Sequence, residues 1–296
     1  MLIGLLKTMR PRQWPKNGFV FAALLFDSKL RLTELDAISR VLVAFLLFCL
    51  MSSAVYLMND LIDIESDRAH PRKRRRPLPS GELAPAVAWV AFFLFAGGGL
   101  AAATALDLTW GTQLSLVLLA YLVLQIGYTM KLKQVVLLDV FAVAGGFVLR
   151  VAGGVAVINV TRFSPWLYVC AGLLALFMAL GKRRHELLLL GADAGTHRAI
   201  LAEYSLDLVD RLLGTVMTSA VVAYSLYTFL AEGLPDNHMM MLTIPFVLYG
   251  LFRYLYLIHV RGAGGAPEEI LLRDRPLQVT LLFWVATIYV ALYLLS

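Results

Sequence analysis

The stretch Asn59-Asp60-Leu61-Ile62-Asp63-Ile64-Glu65-Ser66-Asp67 sets three carboxylates at i, i+3 and i+7. On a helix those positions share one face. Three like charges there repel one another, and each is costly beside hydrocarbon. A divalent cation relieves both problems. Mg2+, with Mn2+ as a substitute, prefers such oxygen ligands and keeps positions open for water and substrate phosphates. Asp60, Asp63 and Asp67 are therefore the expected metal ligands and catalytic acids, with Asn59 beside them on the substrate. The plain alternative, a solvated acidic helix end, accounts for neither the regular spacing nor Asn59.

A second cluster begins at Tyr128-Thr129-Met130-Lys131-Leu132-Lys133 and continues to Asp139, at the mouth of the next apolar run. Alone it fits a snorkelling Lys and a capping Asp equally well. Beside the first motif it supplies a second acid to the same cavity, as a two-metal or metal-plus-base site requires. Tyr128 and Lys133 then face substrate, with Asp139 a further catalytic acid. Two cationic clusters, Arg10-Pro11-Arg12-Gln13-Trp14-Pro15-Lys16-Asn17 and Gly181-Lys182-Arg183-Arg184-His185-Glu186-Leu187, read either as interfacial anchors or as clamps for phosphate oxygens. On the second reading Lys16, Lys182 and Arg183 bind substrate phosphates. The run Arg72 to Arg76 reads as anchoring and headgroup attraction. Arg150, eleven residues beyond Asp139 in an apolar run, should face the bundle interior, pair there and touch substrate.

The elements that must position these residues are membrane helices. The 296 residues are 60% hydrophobic and only 16% charged, against about a quarter charged in a soluble domain. Apolar stretches near the ~20 residues needed to cross a bilayer recur throughout. They predict an all-α polytopic protein, a single domain over 1–296, with nine spans near 17–27, 37–59, 84–106, 110–129, 135–158, 164–181, 207–231, 240–260 and 276–295. Met1 to Lys16 does not read as a cleavable signal, because Lys7, Arg10, Arg12 and Lys16 interrupt any apolar core. With the N-terminus inside, 20 Lys and Arg fall on the inner side and four outside, while Arg150 and Arg253 lie within spans. That bias predicts an inner or plasma membrane protein whose N-terminus and active site are cytoplasmic. The net charge of +6 is then topological, and nucleic acid is not an expected partner. The five histidines do not cluster at zinc spacings, and Cys49 and Cys170 lie in apolar runs as packing residues. Glycines at 97–99, 145–146 and 153–154 suit close helix contacts. A homo-oligomer is compatible with all of this.

On these residues the chain resembles the UbiA superfamily of intramembrane prenyltransferases along nearly its whole length. The stretch from Asn59 to Asp67 matches that family's first acidic motif. Tyr128, Lys133 and Asp139 match the second, in a variant with one acid where many members have more. Arg10 to Asn17, Asp139 to Arg150, Gly181 to Leu187 and Glu268-Glu-Ile-Leu-Leu-Arg-Asp-Arg-Pro276 resemble the members that use phosphoribosyl diphosphate. The resemblance implies nine helices around a cavity open to the cytoplasm and sideways to lipid. It implies Mg2+-dependent transfer of 5-phosphoribose from 5-phosphoribosyl 1-diphosphate to a polyprenyl, decaprenyl-type phosphate in cell-wall or polyprenyl-sugar biosynthesis. The alternatives are transfer of a polyprenyl group from its diphosphate to an aromatic acceptor, which needs fewer cations, and a transporter, which would set its acids near mid-membrane.

Overall fold

The structure, a computed structural model, describes residues 1–26, 35–69, 73–158, 164–190, 199–231, 234–235, 237–263, 270–271 and 273–295. The described residues form helices and the turns between them, with no strand. A short helix α1 (Leu2–Met9) leads into a 3-10 segment (Pro11–Phe21) and α2 (Ala22–Phe26). Then come α3 (Leu35–Ile62), α4 (Ile64–Ala69), α5 (Pro85–Trp110), α6 (Leu114–Met130) and α7 (Leu138–Val157). The chain closes with α8 (Pro165–Leu190), α9 (Leu206–Leu230), α10 (Ile244–Val260) and α11 (Arg275–Tyr289).

Among the described residues seven helices are long and apolar enough to cross a membrane, and α6, with 17 residues, is a shorter apolar one. The expected first span, 17–27, is not one α-helix. Pro11 and Pro15 lack amide donors, so the chain winds as an 11-residue 3-10 segment before α2 begins. Such runs seldom exceed three or four residues, and this one is braced from outside. The Trp14 indole N–H reaches Ser53 Oγ at 3.2 Å, and Asn17 Nδ2 reaches Ser52 Oγ at 3.2 Å on α3. Part of the Glu268–Pro276 stretch lies outside the described residues.

The spans are apolar on nearly all faces, as lipid-embedded helices must be. Burial sorts them: α3 is the central helix, whereas α5 turns Trp89, Val90, Phe93 and Leu94 outward and α11 turns out Val279, Leu282 and Phe283. Two cores result. One packs α3 with α5 and α6 around Phe48, Met51, Leu57 and Leu118; the other packs α8, α9 and α10 around Phe177, Leu180, Leu213 and Tyr254. Helix α7 joins them, lending Val157 to the first and Val140 to the second. It approaches the 3-10 segment so closely that a Cβ on Gly154 would lie 2.0 Å from the Val20 carbonyl oxygen. Cys49 is buried in α3 and both cysteines are free thiols.

The ends of the elements are set by local chemistry. Gly111, at φ +68°, ends α5, and the Asp107 carboxylate accepts from the amides of Leu114 and Ser115 at 2.8 Å each, starting α6. Ser205 caps α9 and Asp274 caps α11. Helix α1 packs Gly4 and Thr8 inward and leaves Met1, Leu2, Ile3 and Leu6 exposed, while Lys7 Nζ meets Glu82 Oε1 at 2.9 Å. It ends at Arg10 in the left-handed region, φ 53°.

Candidate active site

The three acids sit where α3 gives way to α4. Helix α3 ends at Ile62, Asp63 lies in a turn, and α4 resumes at Ile64. Helical hydrogen bonds persist across the break, Asp63 N to Asn59 O at 3.0 Å and Asp67 N to Asp63 O at 2.8 Å. The register of the motif therefore survives, but the carboxylates do not share one set of neighbours. Asp60 and Asp67 are buried, at 2% and 1% exposure, and converge on one guanidinium. Arg76 Nη1 lies 3.2 Å from Asp60 Oδ1 and 2.6 Å from Asp67 Oδ2. Arg10 Nη2 adds a contact of 2.5 Å to Asp60 Oδ1 while its guanidinium lies over the Tyr56 ring, and Lys73 Nζ stands 3.6 Å from Asp67 Oδ1. Asp63, half-exposed, faces Lys133 Nζ at 3.1 Å across to the α6–α7 turn. Asn59 Oδ1 accepts from Thr129 Oγ1, which ties α3 to α6.

Buried carboxylates are costly unless neutralised. These are neutralised by four basic side chains, two of them from the loop that follows α4 and one from the end of α1. Among the described residues no three His, Cys, Asp or Glu approach closely enough to form a metal cluster by themselves. Mg2+ does not need one: a carboxylate or two plus substrate phosphates and water suffice. The donor set fits, because Asp60 and Asp67 already bring an oxygen each to a single cationic nitrogen.

A second network lies beyond the α6–α7 turn. Asp139 is fully buried; its Oδ2 lies 2.7 Å from Arg183 Nη2, and its Oδ1 accepts from the Tyr204 hydroxyl at 2.6 Å. Arg183 also pairs with Glu186 one turn on. The Tyr204 oxygen accepts in turn from Leu137 N at 2.9 Å, and Leu137 holds φ at +67°. Burial, and after it the hydrogen bond to Asp139, push the Tyr204 phenol up to about 12. Next along α8, Arg184 Nε meets Asp210 Oδ1 at 2.7 Å.

Arg150 does face the bundle interior, and its partners are neutral. It donates from Nε to Asn17 Oδ1 at 2.7 Å, from Nη1 to Gly146 O at 2.7 Å and from Nη2 to the Tyr121 hydroxyl at 2.9 Å. Its guanidinium also lies over the rings of Tyr121 and Phe147. The expected phosphate cations separate: Lys16 is half-buried in the 3-10 segment, Lys182 is exposed on α8, and Arg183 is buried against Asp139. Tyr128 is half-buried at the end of α6. Sequence reasoning missed Arg76, Lys73, Thr129 and Tyr204. Arg76 and Lys73 were hidden inside a basic run that looks like headgroup anchoring, Thr129 stood inside the second cluster without a role of its own, and Tyr204 stands in no distinctive pattern.

The sequence model of the UbiA prenyltransferase family matches residues 19–265. A protein from Mycolicibacterium smegmatis named decaprenyl-phosphate phosphoribosyltransferase is 36% identical, over 99% of this chain and 93% of its own. One of the same name from Corynebacterium glutamicum is 36% identical over 99% and 87%. Among solved structures, a UbiA homolog from Archaeoglobus fulgidus bound to GPP and Mg2+ superposes with a TM-score of 0.72, covering 98% of this chain and 99% of that one at 19% identity.

Proposed function

Because this chain belongs to the UbiA prenyltransferase family, we propose that it is a membrane-embedded transferase that moves the 5-phosphoribosyl group of 5-phosphoribosyl 1-diphosphate onto a polyprenyl phosphate and releases diphosphate. The observation that carries this reading is the gathering of basic groups at the acids: Arg10, Lys73, Arg76 and Lys133 all lie within 3.6 Å of Asp60, Asp63 or Asp67. A donor with a diphosphate and a 5-phosphate, meeting an anionic lipid, needs such a surplus of cations. A prenyl diphosphate meeting an apolar aromatic acceptor does not. The full-length likeness to proteins named as phosphoribosyltransferases supports the same choice.

Asp60 and Asp67 are the residues that would hold Mg2+, with Asp63 on the flank. Bound there, the ion supplies neutralisation of the departing diphosphate. Donor phosphates draw Arg10, Arg76 and Lys133 off the carboxylates, exchanging one charge-assisted pair for another. The bond from ribose C1 to the diphosphate oxygen breaks and its electron pair leaves with diphosphate. An oxygen of the lipid phosphate forms the new bond to C1 from the opposite face. That oxygen is already anionic, so neither a protein nucleophile nor a protein base is required. Positioning and charge stabilisation do the catalysis. Asn59 and Tyr128 border the donor, and Lys16 and Lys182 are offered to the remaining phosphates. Arg150 acts at one remove, fixing Asn17 and with it the segment that carries Lys16.

The test is incubation of the purified protein and Mg2+ with labelled 5-phosphoribosyl 1-diphosphate and a series of polyprenyl phosphates. A labelled lipid product is expected. Turnover of a prenyl diphosphate with an aromatic acid, and none with phosphoribosyl diphosphate, would overturn the reading in favour of aromatic prenylation.

A further inference from the structure

We infer that Tyr204 is a positioning residue for the donor site, acting through the α6–α7 turn to hold Lys133 in place beside Asp63, where a donor phosphate can take it up. The inference rests on the proposed function for its kinetic consequence, but on geometry for its mechanism. Three facts meet in the turn. Leu137, at the head of α7, holds φ at +67°, a region that side chains larger than glycine adopt only under external constraint. Its amide is satisfied by a side chain far along the sequence, donating to the Tyr204 oxygen at 2.9 Å. The same hydroxyl donates to Asp139 Oδ1 at 2.6 Å, and Asp139 is fixed on its other oxygen by Arg183.

One hydroxyl thus closes a loop between the start of α7 and the entry to α9. The turn it closes, Lys131 to Leu137, is short and internally bonded, Gln134 N to Lys131 O at 2.9 Å and Val135 N to Leu132 O at 3.1 Å. It behaves as one piece, and Lys133, which reaches Asp63 Oδ1 at 3.1 Å, is part of it. Asp139 and Arg183 neutralise each other in a buried pair. In the inferred clamp this pair is the anchor. In this reading Asp139, which the sequence pattern offers as a catalytic acid, and Arg183, which it offers as a phosphate contact, are positioning residues. The phenol, raised by burial to about 12, stays protonated and able to donate throughout the neutral range.

Tyr204→Phe deletes the hydroxyl and keeps the ring. Hydrogen–deuterium exchange across 131–140 should quicken about three- to tenfold, the loss of one to two net hydrogen bonds, while α5 and α10 exchange unchanged. Equal exchange in mutant and wild type would overturn the clamp. Kinetically, Tyr204→Phe should raise the donor KM with kcat nearly retained, and should add little to Lys133→Met. Full additivity of the two would overturn action through Lys133. If Tyr204→Phe does not insert, the comparison moves to Leu137→Gly, in which positive φ carries no steric penalty. There Tyr204→Phe should be tolerated, so that the double variant inserts where the single one does not, and a double variant that also fails to insert would count against the strained turn as the point of action. A wild-type protein that transfers no phosphoribose would sink the proposed function, while the exchange comparison would still decide the clamp.

Discussion

Arg76 touches two buried carboxylates at once, and much of the chemistry proposed for this protein depends on what it does when an anion arrives. If it turns from Asp60 and Asp67 to a donor phosphate, Arg76→Met should raise the donor KM by about ten- to a hundredfold, the worth of one charge-assisted hydrogen bond. Steady-state kinetics on the purified mutant measures this, and an unchanged KM would remove Arg76 from the substrate. Asp60→Ala should abolish turnover, with the protein still eluting as a folded particle. Asn59 and the three acids were legible in the sequence because i, i+3, i+7 spacing encodes a shared helical face. Arg76 was not legible, since its partners depend on how the loop after α4 folds back. Arg183 was legible as an important cation but its pairing was not, because only the fold brings Asp139 to it.

At the scale of elements, α7 carries the greatest constraint. It meets α6, α8 and the 3-10 segment, and Gly154 lets the last of these approach to contact. A methyl group there must push backbone against backbone, so Gly154→Ala should destabilise by about 1–3 kcal/mol, seen as a lower melting temperature in detergent. Gly18, with open space around its Cβ position, serves as the control, and equal melting of the two alanine variants would refute the close-contact argument. The long apolar runs announced the long helices plainly, since length and composition alone decide a span. The first span was less legible. Prolines at 11 and 15 replace α-helical winding by 3-10, and bracing from α3 and α7 that sequence cannot show keeps it so. Lys182 and Arg183 make the same point at finer grain: about 100° of helical rotation leaves one exposed and buries the other.

For the whole molecule, the distribution of basic residues sets the expected orientation. Basic residues divide 20 to four between the two sides of the expected topology. A reporter inserted near Arg74 should therefore lie in the cytoplasm, and one fused after Ser296 outside; both on one side would mean a span count wrong by an odd number. The proposed dependence on divalent metal would likewise belong to the complete site, because Asp60, Asp67 and the substrate phosphates would contribute together. Excess chelator should abolish transfer and added Mg2+ restore it, whereas full activity in chelator would exclude the metal reading. The division into two cores was not visible in the sequence, where every span is similarly apolar. It emerges only from which residues α7 lends to each.

Helix α1 has a mechanical consequence. Its outward residues, Met1, Leu2, Ile3 and Leu6, are those of a helix that lies along a membrane surface, and its last turn runs directly into Arg10, whose guanidinium grips Asp60. One short helix thus joins an exposed apolar face to the acids, through Arg10 just beyond its end. Lateral pressure, headgroup packing or a change of detergent that shifts the helix by an ångström shifts the grip with it. Turnover should then respond to the surrounding lipid even when substrate and metal are saturating, and trimming Leu2, Ile3 and Leu6 to Ser should blunt that response.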